Sequence, residues 1–296
     1  MRSLLFVPAD SPKKLDKAMT SGADALIVDL EDSIALEGKA RARDSAAAFL
    51  KEAMKESGPS ASRPYMMVRV NGLQTGLTDA DLDAIAPAKP DAIMLPKAEG
   101  GASVVHADAK LAVREATCGL PDGHIKILPI ATETAAAMFL AGTFAGSSAR
   151  LIGLTWGAED LSAELGAQAN RDKDGRFLDP YRLARALCIA GAAAASIPAI
   201  DTVYVDFRNA DGFRRECEDA CRDGFTGKMA IHPAQVPIIN EVFTPSPTAV
   251  AHARAVIDAF AASPGAGVVG IGGVMYDRPH RVRAKQLLAR AEAIGS

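Results

Sequence analysis

Cysteine, histidine and aromatic residues are scarce in this sequence, and its charges nearly cancel. Four cysteines, Cys118, Cys188, Cys217 and Cys221, are spread over 296 residues, too few and too scattered for a disulfide framework and in keeping with a reducing cytosol. Cys217 and Cys221 lie one helical turn apart, but no second cysteine pair flanks them. His232 falls 11 positions after Cys221, outside the usual zinc spacing, so the two read as buried helix cysteines. Lys plus Arg number 33 against 36 Asp plus Glu, a net charge of −3 with pI about 6.0. No global attraction to nucleic acid or to an anionic membrane follows, and an anionic ligand must be held locally. Long hydrophobic runs are missing as well, since no uninterrupted apolar stretch approaches the ~20 residues needed to span a bilayer. The opening run Leu4–Pro8 is shorter than the ~7–15 residues of a signal-peptide core. A soluble cytoplasmic protein without nucleic-acid or membrane partners is expected.

Apolar material is nevertheless plentiful. Hydrophobic residues make up 49% and charged residues 23%, which excludes a disordered or collagen-like chain. The length allows two domains at ~150 residues each, although α/β barrels run to about 250 residues as one. Short runs rich in Val, Ile and Leu recur between Ala-rich helical stretches, at Ser3–Val7, Ala25–Leu30, Met66–Val70, Ala92–Leu95, Ile125–Ala131, Arg150–Trp156, Thr202–Val205 and Lys228–Ile231. Continuous runs of this kind mark strands buried on both faces, and their alternation with helices marks parallel pairing through βαβ crossovers. Eight such units predict an α/β fold, a (β/α)8 TIM barrel. The competing architecture, an open doubly wound sheet, usually places a Gly-rich phosphate loop after its first strand. Here that turn is Pro8-Ala9-Asp10-Ser11-Pro12, without glycine.

The prolines of Thr244-Pro245-Ser246-Pro247 end the pattern. Residues 1–244 read as the barrel and 245–296 as a C-terminal helical lid extension. Within it, His252–Ala262 is helical in composition, residues 263–273 form a flexible link with five glycines, and Arg281–Ile294 is a last amphipathic helix. Its stripe of Val282, Leu287, Leu288 and Ala291 needs a surface to cover, which a neighbouring subunit would supply.

The informative residues are those that follow each apolar run: Asp29, Glu31 and Asp32 after the second, Arg69 and Asn71 after the third, Lys97 after the fourth and Glu133 after the fifth. Glu159 and Asp160 follow the sixth, Asp206 the seventh and His232 the eighth. In a parallel barrel these ends converge on one mouth, where βα loops build active sites. Helix capping accounts for one or two such positions, but charged groups at the edge of a core demand partners. Carboxylates without histidines or thiolates suit a hard, oxygen-loving cation such as Mg²⁺. Glu133 and Asp160, which follow adjacent runs, are the candidate metal ligands, with a helix N-cap as the alternative for either alone. Arg69 and Asp32 are candidate catalytic residues of the same mouth, Arg69 because its planar fork matches carboxylate or enolate oxygens. Two nucleotide-like motifs fail. Gly265-Ala-Gly267-Val-Val-Gly270 follows a Ser-Pro break and precedes no helix, and Gly224-Phe-Thr-Gly227-Lys228 has the wrong glycine spacing for a P-loop.

Taken in order, several segments resemble the citrate lyase beta-subunit-like branch of the HpcH/HpaI aldolase superfamily. They are Arg2-Ser-Leu-Leu-Phe6-Val-Pro8, Val28-Asp29-Leu30-Glu31-Asp32-Ser33, Val68-Arg69-Val70-Asn71-Gly72, Leu95-Pro96-Lys97, Ala131-Thr-Glu133-Thr134, Gly157-Ala-Glu159-Asp160-Leu161 and Gly227-Lys228-Met-Ala-Ile231-His232-Pro233-Ala-Gln235. The resemblance implies a Mg²⁺-bearing barrel that cleaves or forms carbon–carbon bonds beside a thioester, or hydrolyses that thioester. It implies that Glu133 and Asp160 hold the metal and that Arg69 binds the acyl oxygens. Phe6 and Lys17 would line the CoA or acyl-carrier site, with Glu159, Val205 and Asp206 flanking the substrate. Related CoA lyases often carry an arginine just before the proline that here is Pro12, and this chain has Ser11, with Lys13 and Lys14 close by. Gly273-Val-Met-Tyr-Asp277-Arg-Pro279 resembles the family's lid segment, which makes Asp277 a candidate catalytic acid/base reaching a neighbouring subunit's mouth. A homo-oligomer, a trimer or a hexamer built as a dimer of trimers, is implied.

The expected activity is cleavage of a 3-hydroxyacyl-CoA of the malyl-CoA or citramalyl-CoA type to a keto acid and acetyl-CoA. A citrate lyase beta subunit working on a citryl group on an acyl carrier protein, a malyl-CoA thioesterase, and a non-catalytic binding protein that kept the barrel are the alternatives.

Overall fold

A computed structural model describes residues 1–55 and 63–295. They divide into two compact units, residues 1–240 and 241–295.

The first unit is α/β. Its strands are β1 (Ser3–Pro8), β2 (Ala25–Asp29), β3 (Tyr65–Arg69), β4 (Ala92–Leu95), β5 (Lys126–Pro129), β6 (Ile200–Asp201) and β7 (Gly227–Ala230), alternating with helices α1 (Pro12–Ala18), α2 (Lys39–Lys55), α3 (Thr78–Ile85), α4 (Gly101–Cys118), α5 (Ala135–Leu140), α6 (Ala158–Glu164), α7 (Asp179–Ala194) and α8 (Ala210–Asp223). All seven strands lie parallel in one curled sheet of order β5-β4-β3-β2-β1-β7-β6, so every strand ends toward the same face. Alternate residues point to opposite faces of a strand. Leu4, Ala25, Ile27, Met67, Ala92, Met94, Leu128, Ile130, Ile200 and Met229 meet as one buried cluster, two residues apart wherever a strand contributes a pair. The intervening Leu5, Val7, Leu26, Val28, Ile93 and Ile127 are equally buried. That double burial is why the runs are continuous in sequence rather than alternating.

The helices show their causes locally. In α4, Val104, Ala107 and Leu111 form the buried stripe, and Gly119 ends the helix at φ 66 with its N–H on the carbonyls of Glu115 and Ala116, a left-handed cap that glycine adopts without strain. In α8, Asn209 caps the first turn by accepting the Gly212 N–H at 2.9 Å. Phe213, Cys217 and Ala220 are its buried face, and burying the phenyl ring contributes roughly 1.5–3 kcal/mol.

Three expectations need correction. The run Arg150–Trp156 is not a continuous strand. It makes isolated parallel bridges, Ile127 to Leu151 and Ile130 to Thr155 on one side and Leu154 to Ala199 on the other. Pro129 and Pro198 stand opposite it and have no N–H to give, which interrupts a ladder that otherwise runs on both sides. The seventh strand is Ile200–Asp201 rather than Thr202–Val205. Thr202 and Val203 instead line a cavity, a position that is apolar in sequence without being paired in a sheet. The glycine-rich link of residues 263–273 contains an antiparallel hairpin, β8 (Val268–Ile271) with β9 (Val274–Asp277). Gly272 and Gly273 turn it at φ 58 and 83. Two successive positive φ values are what a two-residue hairpin turn requires, so these glycines fix a structure instead of loosening one.

The division between the units falls in α9 (Val236–Phe243). The second unit holds α10 (Pro247–Ala262), capped by the Ser246 hydroxyl on the Ala249 N–H at 3.2 Å, the hairpin, and α11 (Arg278–Gly295). Ala253, Val256, Phe260, Val269 and Ala284 form its core, and Leu287 and Leu288 pack against it. Much of the apolar stripe of the last helix is therefore covered within its own unit, while Val282 remains exposed. All four cysteines are free. Among the described residues no helix is long and apolar enough to cross a membrane.

Candidate active site

Parallel strands deliver their terminal residues to one edge, and there the charged residues of the first unit gather. Arg69, the last residue of β3, lays its guanidinium against Asp29 at the end of β2 through two bonds, Nε to Oδ1 and Nη2 to Oδ2, each 2.7 Å. Its Nη1 lies 3.0 Å from Glu31 Oε2 and 3.8 Å from Asp32 Oδ2, and its Cζ stands 4.9 Å over the Phe6 ring. The fork expected to bind substrate oxygens is thus largely engaged by Asp29. Burial works against the Asp29 charge, but the Arg69 hydrogen bonds and charge outweigh it and hold the carboxyl below its usual range.

Lys97 follows β4 and adopts φ 50, uncommon for a side chain of its size and a mark of local strain. That backbone turn aims its N–H at Glu133 Oε1, to which it donates, while its ammonium reaches Glu31 Oε1 at 2.7 Å and Asp160 Oδ1 at 3.4 Å. Burial penalises the Lys97 charge, yet the hydrogen bond to Glu31 and the charges of Glu31, Asp160 and Asp32 outweigh it and hold its pKa up. Glu31 is the opposite case. Burial pushes its carboxyl up to about 6 despite Arg69 and Lys97.

Glu133, just beyond β5, is buried. Burial first, and then the charge of Asp160, push its carboxyl well above the ordinary range, opposed by one backbone N–H from Lys97. Asp160 sits in the first turn of α6, beside Glu159. Between them comes Gly157, where a Cβ would stand 2.9 Å from Glu133 Cβ and 3.0 Å from Glu133 Oε2. The chain passes so close to this carboxylate that only glycine fits without displacement. Two acids that line one cavity, Glu133 and Asp160, fit a divalent cation. Among the described residues no group of three or more His, Cys, Asp or Glu stands together as a ligand set.

A cavity of about 350 Å³ opens onto this cluster. Phe6, Arg69, Glu133, Glu159 and Asp160 all line it, together with Asp29, Ile130, Trp156, Val203 and Met229. Five of the sequence-derived candidates therefore meet at one place. Others do not join them. Asp32 is half-exposed, linked to Arg69 and Lys97 only at 3.8 and 3.7 Å. Lys17 lies on the exposed side of α1, and Val205 and Asp206 are exposed beyond the cavity lining. Asp277 belongs to the second unit, where His280 Nδ1 lies 2.5 Å from its Oδ1. That hydrogen bond holds the Asp277 carboxyl below its usual range. His232 accepts the Ala234 N–H at 3.2 Å as a cap and stacks on Phe207, a structural use. Trp156 escaped notice because an aromatic at the end of an apolar run reads as core. Nor could sequence disclose the φ of Lys97.

The chain is similar from end to end to proteins of known chemistry. It is 37% identical over 300 residues to the (3S)-malyl-CoA thioesterase of Cereibacter sphaeroides, covering 100% of this chain and 96% of that one. It is 35% identical over 296 residues to citrate lyase subunit beta of Escherichia coli, covering 99% and 94%. The solved structure of protein CitE from Mycobacterium tuberculosis, in complex with magnesium, acetoacetate and coenzyme A, superposes with a TM-score of 0.77 at 32% identity, over 98% of both chains. The model of HpcH/HpaI aldolase/citrate lyase matches residues 2–233, the stretch that carries the whole charged mouth, and the chain belongs to that family.

Proposed function

We propose that this protein is a Mg²⁺-dependent carbon–carbon lyase that cleaves a 3-hydroxyacyl-CoA of the malyl-CoA or citramalyl-CoA type to a keto acid and acetyl-CoA. The observation that carries this reading is the place of Glu133, a buried carboxyl that lines one cavity together with Asp160, Arg69 and Phe6. Glu133 and Asp160 would hold the ion. When bound, Mg²⁺ supplies positive charge to the oxygens of the keto-acid portion.

The chain's own residues supply the remainder. Arg69, fixed by Asp29, and Lys97, fixed by Glu31, add positive charge at the same mouth, where oxygen charge develops as the bond breaks. In cleavage the carbinol proton passes to solvent water, its O–H electron pair forms the keto carbonyl, the bond from the carbinol carbon to the α carbon breaks, and the electron pair of that bond passes to the thioester as an enolate. A proton delivered to the α carbon then gives acetyl-CoA. Asp277 of a neighbouring copy is the proposed proton carrier, and a carboxyl held low by His280 suits the reverse, condensing direction, in which it removes that proton. On this reading Phe6 and Lys17 serve the CoA end and Glu159, Val205 and Asp206 flank the acyl group. The bridges of residues 151–155 to β5 on one side and to Ala199, just before β6, on the other support a sheet rolled into a (β/α)8 barrel. A trimer or hexamer with shared mouths and a cytoplasmic location belong to the same proposal.

The 37% identity to a malyl-CoA thioesterase favours one second reading, hydrolysis of the same thioester, in which water adds to the thioester carbonyl, the C–S bond breaks and CoA leaves as the free thiol. The 35% identity to citrate lyase subunit beta supports a carrier-bound citryl substrate in turn. A panel of acyl-CoA thioesters, assayed with Mg²⁺ and with chelator, separates them. The lyase releases a keto acid and no free thiol, the thioesterase releases free CoA thiol, and the citrate lyase subunit turns over only with carrier protein. Undiminished turnover by chelated, metal-free protein overturns the metal assignment.

A further inference from the structure

Trp156, the one tryptophan of the chain, ends a segment whose own ladder is broken. Residues 151–155 pair with residues 127–131 on one side and 198–200 on the other through isolated bridges and single backbone hydrogen bonds, and this pairing reaches only as far as Thr155. Side chains complete it. The indole Nε1–H donates to Asp201 Oδ1 at 2.8 Å, and Asp201 takes the Lys228 ammonium on its other oxygen at 2.8 Å. Lys228 also donates to Glu216 Oε1 at 2.9 Å, and Glu216 Oε2 lies 2.5 Å from Arg171 Nη1. The Arg171 guanidinium lies 3.7 Å over the Phe177 ring, and Phe177 returns to Trp156 edge-on with centroids 5.0 Å apart. Six side chains from five parts of the chain thus close a circuit.

Stability alone is a weak reason for such a device. Asp201 and Lys228 have no exposed surface at all, and a buried ion pair is often replaced by apolar side chains at no cost in stability. Its directional bonds fix position, which apolar packing does less sharply. The residue that follows Trp156 is Gly157, and the next turn carries Glu159 and Asp160. Asn170, beside Arg171, donates to Glu159 Oε1 at 2.8 Å, so both sides of that turn are tethered to the circuit. Trp156 itself forms part of the cavity wall, whereas Asp201 and Lys228 do not.

We propose that Asp201 and Lys228 are positioning residues that act through Trp156 to hold the Gly157–Asp160 turn against Glu133, a role that rests on the reading of Glu133 and Asp160 as Mg²⁺ ligands. Groups behind metal ligands fix the ligands' orientation, and their loss weakens metal binding without removing a donor.

The test is Mg²⁺ titration calorimetry on the full chain without substrate. Trp156→Phe keeps an aromatic ring and removes the N–H, and Asp201→Asn keeps the shape and removes the charge. Each is expected to raise the Kd for Mg²⁺ roughly tenfold. The double variant binds no more weakly than the worse single one, because both substitutions weaken the same Trp156–Asp201 contact. In Asp201→Asn, acrylamide quenching of the lone tryptophan rises as the indole loses its charged acceptor. If Asp201→Asn does not fold, Asp201→Asn with Lys228→Met, which removes both charges together, takes its place with the same expectation. Lowered melting temperature with Mg²⁺ affinity within about twofold of wild type, or fully additive losses in the double variant, makes the circuit purely structural and overturns the proposal. Wild-type protein that binds no Mg²⁺ sinks the metal reading and this proposal with it, an outcome distinct from tight wild-type binding with unaffected variants.

Discussion

Gly157 approaches the Glu133 carboxylate so closely that a Cβ on it would stand 3.0 Å from Oε2 and 2.9 Å from Glu133 Cβ. Its φ of −127 is open to any residue, so the requirement for glycine here is space and not backbone conformation. Gly157→Ala is therefore expected to displace the Glu133 carboxylate by a few tenths of an ångström. We predict a loss of roughly tenfold in Mg²⁺ affinity with a change in stability of no more than about 1–3 kcal/mol, the usual cost of one added methylene in a packed place. Titration calorimetry and thermal melting check this. An alanine variant with wild-type Mg²⁺ affinity would remove Gly157 from the site.

Glu31 gives a pH prediction with a definite sign. Burial raises its folded-state pKa from 4.5 to about 6. The protonated form is thus preferred in the fold, and the stability it contributes is complete below about 4.5 and lost as pH rises through about 6. In chelated protein the loss across that window is roughly 2 kcal/mol for this one group. Asp29, held low by Arg69, acts in the opposite sense and only at more acid pH. Melting curves of chelated wild type and Glu31→Gln between pH 4 and 7 compare the two. The wild type should lose stability relative to the variant as pH rises, and parallel curves remove Glu31 as the cause.

Asp277 is tied to His280 in the second unit, and the proposed mechanism gives it to a neighbouring copy's mouth. Mixing Asp277→Ala with Glu133→Gln under verified subunit exchange should restore part of the activity, since some mouths then combine an intact metal site with an intact proton carrier. Each variant alone should be nearly inactive. A mixture as inactive as its components means that Asp277 acts in its own chain or has no part in the reaction.

The α/β class, the strand order in sequence and most strand positions were legible from the residues, because strands buried on both faces leave continuous apolar runs. β4 spans Ala92–Leu95, the same residues as its run. The misplaced seventh strand and the broken run at residues 150–156 have one reason. Apolar character reports burial, and burial does not distinguish a paired strand from a cavity wall or from a segment whose neighbours are prolines. The hairpin at Gly272-Gly273 was hidden by the ambiguity of glycine, which marks a tight turn as readily as a loose link.

Charged residues at the ends of buried runs were enough to bring Arg69, Glu133 and Asp160 to attention, since parallel strands oblige such residues to share one face. Sequence order alone determined that they would meet. Only the tertiary structure decided how they meet: Arg69 committed to Asp29, Lys97 turned by a positive φ so that its N–H serves Glu133 while its ammonium serves Glu31, and Trp156 anchored to Asp201. Partner choice among several nearby charges depends on ångström distances and on burial, and these arise from packing between elements far apart in the chain, where local sequence carries no record of them.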